Sequence, residues 1–164
     1  MAEGNGPGML SPYRVLDLAD ERGILCGKIL ADLGADVLAV EPPGGSRARR
    51  IGPFYRDDPH PEKSLFWWAY AHNKRSITLN IPTLRLGSGQ ALRDGRELLK
   101  RLVAGAHFLV ESFEPGYLDS LGLGYDTLSA INPALIVVSI TAFGQDGPSA
   151  RYKAPDLVGM ALSG

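Results

Sequence analysis

The chain has 164 residues, 45 % of them hydrophobic and 21 % charged, which supplies a packed core and lies far from the composition of a disordered chain. Seventeen Lys and Arg against eighteen Asp and Glu leave a net charge of −1. No global field therefore draws the chain to nucleic acid or to an anionic membrane, and any anion recognition is local.

Residues 1–12, rich in Gly and Pro, contain no cationic stretch followed by an apolar one, so no secretory signal is expected in them and they read as a disordered lead-in. Tyr13–Leu18 and Asp36–Val40 are apolar runs of strand length. Between them, Ile24–Leu33 places Ile24, Leu25, Ile29, Leu30 and Leu33 on one helical face, and Gly34 supplies the stop. The three segments form a βαβ unit whose strands are expected to be parallel neighbours. Cys26, on that helix, is the one cysteine. It has no disulfide partner and no neighbouring Cys or His for a zinc site, so a reducing cytoplasm is the expected setting and no metal is expected.

Glu41–Pro61 is dense in Pro, Gly and Arg and reads as one long irregular loop. Ser64–His72 is predicted as a helix with an aromatic face of Phe66, Trp67 and Tyr70, and Ser76–Leu79 as a strand. Pro82–Gly89 reads as a surface loop, Gly95–Val103 as a helix burying Leu98, Leu99 and Leu102, and His107–Val110 as the next strand. Short helices follow at Tyr117–Leu121 and Tyr125–Ile131. Leu135–Ile140, uninterrupted and β-branched, is predicted as a strand buried on both faces. A last helix begins near Pro155 and Asp156. The longest apolar runs, Leu102–Val110 and Ala134–Ile140, are shorter than the roughly 18 residues that span a bilayer, so a soluble protein is expected. Strands alternate with helices throughout, which defines an α/β class with a Rossmann-like, mostly parallel, doubly wound sheet.

Ligands of such sheets bind beyond the carboxyl ends of the strands. After the first strand stand Asp20, Glu21 and Arg22, without the G-x-G-x-x-G that brings a backbone against a dinucleotide pyrophosphate. Asp20 and Glu21 are better explained as acids at a helix start, complementing the helix dipole. After the second strand, Arg47, Arg49, Arg50 and Arg56 could fork around phosphates, or could form a solvated loop balanced by Asp57 and Asp58. Glu111–Gly116 and Thr141–Pro148 are sharp turns suited to a ligand-facing rim. The histidines His60, His72 and His107 are scattered, and no Ser-His-Asp order, H-E-x-x-H or P-loop can be assembled. Asp156 is a helix-start carboxylate, and Lys153 ahead of it is placed to meet a phosphate if its loop lines a site.

Six blocks taken in order resemble the class III CoA-transferases: Val15–Leu18 (VLDL), Leu30–Gly45 (LADLGADVLAVEPPGG), Asn73–Asn80 (NKRSITLN), Glu111–Ile140, Phe143–Pro148 (FGQDGP) and Asp156–Gly164 (DLVGMALSG). The resemblance runs from about Tyr13 to Gly164. It implies transfer of coenzyme A from an acyl-CoA donor to a free carboxylic acid through aspartyl anhydride and aspartyl-CoA intermediates. It also implies an interlocked homodimer at full length and a coenzyme A site on the Rossmann-like domain. By position, Leu79 matches the adenine contact, Ser112 and Phe113 the pair along the pantetheine, and Lys153 a phosphate contact. Arg47 and Arg50 belong to the loop that borders the nucleotide.

The sequence departs from the family pattern in ways that matter. Asp20-Glu21-Arg22-Gly23 replaces a common Ala-Gly-Pro stretch on the substrate side, and Ser120 stands where a phosphate-contacting arginine occurs. The residue before Asp156 is Pro155 rather than the histidine base of the related racemases, which disfavours racemisation because proline moves no proton. Asp156 itself matches an active-site neighbour, the nucleophilic aspartate being expected beyond Gly164. On this reading residues 13–164 are the N-terminal part of the large domain of a longer protein, inactive by themselves. A non-catalytic coenzyme A-binding module is the alternative.

Overall fold

The computed structural model describes residues 8–81 and 89–163, without the side chains of residues 89–94, 156 and 163. The elements, in chain order, are β1 (Arg14–Asp17), α1 (Ile24–Asp32), β2 (Asp36–Glu41), α2 (Leu65–Ala71), β3 (Arg75–Thr78), α3 (Gly89–Val103), β4 (Phe108–Glu111), α4 (Tyr117–Ser120), α5 (Tyr125–Ile131), β5 (Ile136–Ser139) and α6 (Asp156–Ser163). The five strands form one sheet in the order β3-β2-β1-β4-β5, every pair parallel. This is the doubly wound arrangement the alternation predicts.

Strand alternation divides the core into two layers. Leu16, Leu38, Val40 and Leu109 pack with Leu99 and Val103 of α3 and Leu128 of α5 on one face. Val15, Val37 and Val110 pack with Ala31 of α1 on the other. Neighbouring residues of one strand serve opposite layers, so a one-residue slip in register would exchange both layers at once.

Several expectations are corrected. Residues 8–12 are not a disordered lead-in: Leu10 donates its N–H to the Leu33 carbonyl at 3.0 Å and packs against the α1-side core. Residues 1–7 lie outside the described residues. On α1, the sheet-facing residues are Ile24, Gly27 and Ala31, while Leu25, Ile29 and Leu33 are 50, 50 and 40 % exposed. The predicted apolar stripe is wider than the surface the sheet can cover. Glu41 is the last residue of β2, and the loop after it contains two 3-10 turns, Arg47–Arg50 and Tyr55–Asp57. The first is capped by Ser46, whose Oγ accepts the Ala48 N–H at 3.2 Å.

Helix α3 starts at Gly89, ahead of the predicted Gly95, so Gly89 leaves the loop expected over Pro82–Gly89, and residues 82–88 of that loop lie outside the described residues. Gly95 is an interior residue whose missing side chain lets the helix cross the Asn80 backbone, since a Cβ there would strike the Asn80 carbonyl. Strand β5 is not buried on both faces. Among the described residues it pairs only with β4, and Ile136 is 52 % exposed. Its β-branched run suits an edge strand equally well, because β propensity does not report what covers the outer side.

Candidate functional site

In the order β3-β2-β1-β4-β5 the chain winds outward from β1 to β3, then returns to place β4 on the other side of β1. The crevice beyond the carboxyl ends of β1 and β4 is thus the switch point where such folds bind ligands. A cavity of about 230 Å³ opens beside it, over the carboxyl ends of β1 and β2, with Phe113 as its one lining residue from the loop after β4. Its apolar wall includes Leu18, Ile24, Val40, Trp67, Leu79 and Phe113, and its polar lining includes Asp17, Asp20, Arg47 and Lys74.

Asp17, the last residue of β1, and Lys74, just ahead of β3, form an ion pair at 2.8 Å, each side chain only 2 % exposed. Lys74 Nζ also donates to the Ile24 carbonyl at 2.7 Å, and Asp17 Oδ1 accepts the Ala19 N–H at 3.1 Å. Burial pushes the Asp17 carboxyl above its ordinary range, against the opposing pull of Lys74. The pair ties β1, the start of α1 and the entry to β3 into one floor. Gly27 permits this, because a Cβ there would occupy the place of the Asp17 carboxylate. Asp17, Lys74 and Trp67 are not among the site candidates that the sequence offers. The available signal was Asp17 itself, a carboxylate closing an apolar parallel strand, which demands a buried partner.

A second polar set joins the loops after β1 and β4. Ser112 Oγ donates to Asp20 Oδ1 at 2.8 Å and accepts the Asp20 N–H at 2.9 Å. Arg22 grips the Asp20 carboxylate through Nε at 3.0 Å and Nη2 at 2.8 Å, and Nη2 also donates to the Ser112 carbonyl at 2.7 Å. Burial alone would raise the Asp20 carboxyl. The hydrogen bonds from Arg22 and Ser112 outweigh it and hold the group below its usual value. Ser112 is buried and engaged with Asp20, whereas Phe113 presents its ring to the cavity.

The arginines of the β2–α2 loop separate into different roles. Arg49 is consumed inside the protein: its Nε and Nη2 bind Glu41 at 2.6 and 2.8 Å, its Nη1 binds Glu62 at 2.9 Å, and its guanidinium lies 4.1 Å from the Trp67 ring centroid. Glu41 also accepts from Ser76 and from the Ser46 N–H. Burial raises the Glu41 carboxyl and these donors more than reverse it, leaving it below its ordinary value. Arg50 donates to the Gly44 carbonyl at 3.2 Å and does not line the cavity, and Arg56 stacks on Tyr55 at 5.1 Å. Arg47 reaches the cavity lip with a side chain 80 % exposed, its Nη2 4.0 Å from Glu21 Oε1.

A larger cavity of about 700 Å³ adjoins the first across Phe113, which lines both. Arg22, Glu114, Ile140, Phe143, Tyr152 and Met160 are among its walls. Tyr152 and Ala154 line it, but Lys153 between them is exposed and lines neither cavity. Asp156 opens α6, whose Gly159, Met160 and Leu162 face this larger space. Among the described residues, no group of three or more His, Cys, Asp or Glu is placed to hold a metal ion. No helix among them is long and apolar enough to cross a membrane.

An all-parallel doubly wound sheet with a lined cavity at the carboxyl ends of its strands, beside the switch point, defines an α/β ligand-binding domain. Residues 10–164 match CoA-transferase family III, and the chain belongs to that family. It is 42 % identical over 154 residues to succinyl-CoA:(R)-benzylsuccinate CoA-transferase subunit BbsE of Thauera aromatica, covering 94 % of this chain and 35 % of that protein. It is 37 % identical over 165 residues to succinyl-CoA–D-citramalate CoA-transferase of Chloroflexus aurantiacus, covering 100 % of this chain and 38 % of that one. A crystal structure of a CAIB/BAIF family protein from Brucella suis superposes with a TM-score of 0.81 at 37 % identity, over 96 % of this chain and 39 % of that one. The chain thus spans less than two fifths of the length of these relatives.

Proposed function

We propose that the full-length protein bearing this chain transfers coenzyme A from an acyl-CoA donor to a free carboxylic acid. The observation that carries the reading is the lined cavity over the carboxyl ends of β1 and β2, beside the β1/β4 switch point, in a chain that belongs to CoA-transferase family III. The smaller cavity takes the coenzyme: Leu79 and Val40 pack against the adenine, and Phe113 packs along the pantetheine arm where it leaves for the larger cavity. Ser112 fixes the loop that carries Phe113. Arg47 meets the phosphates at the lip, with Arg50 and Lys153 as more distant cations for the same charge.

The chemistry proposed is covalent exchange at an aspartate beyond Gly164. Its carboxylate oxygen attacks the thioester carbonyl, the carbon–sulfur bond breaks, and coenzyme A leaves as thiolate from a mixed anhydride. The thiolate then attacks the aspartyl carbonyl, which releases the donor acid and leaves an aspartyl-CoA thioester. The acceptor carboxylate repeats both steps in reverse order, so no net proton or water is consumed. Asp156 acts as a neighbour of that centre, in a homodimer in the cytoplasm. Racemisation has no base at Pro155.

The test is exchange of coenzyme A from acyl-CoA donors to a panel of short carboxylates, comparing the full-length protein with residues 1–164. Turnover by the longer protein and none by residues 1–164 is expected. Robust turnover by residues 1–164 that is abolished by Asp156→Asn would overturn the assignment of the nucleophile.

A further inference from the structure

We propose that Arg22 is a specificity-determining residue that binds the second carboxylate of a dicarboxylic acid in the larger cavity. This rests on the transferase reading above and names the substrate class of the same site.

The guanidinium is set in place before any ligand arrives. Nε and Nη2 both hold the Asp20 carboxylate, and Nη2 also holds the Ser112 carbonyl, so the side-on edge of the fork is fully used. Nη1 makes none of these bonds. It makes a long ion pair with Glu114 Oε1 at 3.9 Å, beyond hydrogen-bonding distance. Arg22 and Glu114 both line the larger cavity, and the Arg22 side chain is 55 % exposed. A fork already fixed on one edge loses little side-chain entropy when its other edge takes an anion.

The surroundings say which anion fits. Arg22 is the sole cation among the described residues lining this cavity, and Ile140, Phe143, Met160 and Leu162 supply an apolar wall. A ligand with one carboxylate and a hydrocarbon body matches that pattern. Phe113 separates this space from the smaller cavity, so an acid whose reacting carboxylate lies at the junction extends its far end toward Arg22. Glu114, 72 % exposed, opposes the incoming charge and has room to swing outward, which makes it a counterweight to the same recognition. A role limited to clamping the β1 and β4 loops would affect every acid equally.

The experiment uses the full-length protein and acids matched in carbon number, succinate against butyrate and glutarate against valerate, read as ratios of kcat/KM. The wild type is expected to favour the diacids. Arg22→Gln should collapse that preference by about tenfold or more, the scale of a lost charge-assisted hydrogen bond, and Glu114→Gln should increase it. A wild type with transfer but no diacid preference, or an Arg22→Gln that lowers both acids in equal proportion, overturns the proposal and leaves the transferase reading intact. A binding readout is independent of turnover: phenylglyoxal modification of Arg22, mapped by mass spectrometry, should be slowed by succinate and unaffected by butyrate. Absence of succinate protection overturns the proposal even where no acid is turned over, an outcome that would separately contradict the transferase reading.

Discussion

The two cavities flanking Phe113 are built on different terms. The smaller is closed by strand ends whose charged groups satisfy one another, Asp17 with Lys74 in its floor and Glu41 with Arg49 behind Trp67. The larger lies beside the edge strand β5 and α6, where Leu157, Met160 and Leu162 are 79, 72 and 67 % exposed. A rigid crevice suits a ligand part common to every turnover. An open space with one cation and an adaptable apolar wall suits the part that differs between substrates.

That contrast breaks most severely at its floor. Lys74→Met strands the Asp17 carboxylate in the core and is expected to cost about 3–5 kcal/mol in chemical denaturation. Adding Asp17→Leu should recover most of the loss, because the uncompensated charge goes with it. Arg49→Ala is expected to cost less, about 2–3 kcal/mol, since the Glu41 carboxylate keeps Ser76 and the Ser46 N–H as donors. Protease sensitivity between residues 41 and 64 should rise with it.

The same comparison can be sharpened with pH. Asp20 and Glu41 have folded-state values below their unfolded ones. Their contribution is complete above the ordinary carboxylate range near pH 4 and is lost as pH falls through the folded values. Asp17 is raised, so its ionisation works the other way and erodes stability as pH climbs past its unfolded value. Stability should fall on acidification, and Glu41→Gln should flatten that fall while lowering stability at pH 7. Urea midpoints measured from pH 3 to pH 7 would check both. The smallest effect is expected from Ser112→Ala, about 1 kcal/mol, seen as faster amide exchange at Asp20 and Arg22.

The sheet was legible in the sequence because a parallel strand advertises itself as an apolar run, as Val15–Leu16 and Val37–Val40 do. Coverage was less legible. Ile29 on α1 and Ile136 on β5 have the composition of core residues, yet each stands on the outer side of its element. Of the residues singled out for a site, Leu79, Phe113 and Arg47 line the smaller cavity, whereas Arg50 and Lys153 do not. A loop arginine's fate depends on which carboxylate the fold brings within reach, and Arg49 met Glu41 while Arg47 met only distant Glu21. In sequence Lys74 is simply part of the Asn73–Asn80 block. Only the three-dimensional pairing with Asp17, 57 positions away, accounts for its burial.

The smaller cavity, over the carboxyl ends of β1 and β2, is the proposed seat of coenzyme A. Titration calorimetry of the full-length protein with coenzyme A and with NAD, in wild type and in Leu79→Trp, tests it most directly. The account predicts heat with coenzyme A and none with NAD, and an affinity at least about tenfold weaker when the indole fills the cavity, as expected for a bulky side chain placed in a fitted site. Binding of NAD without coenzyme A, or an affinity for coenzyme A that Leu79→Trp leaves unchanged in a folded protein, would contradict it.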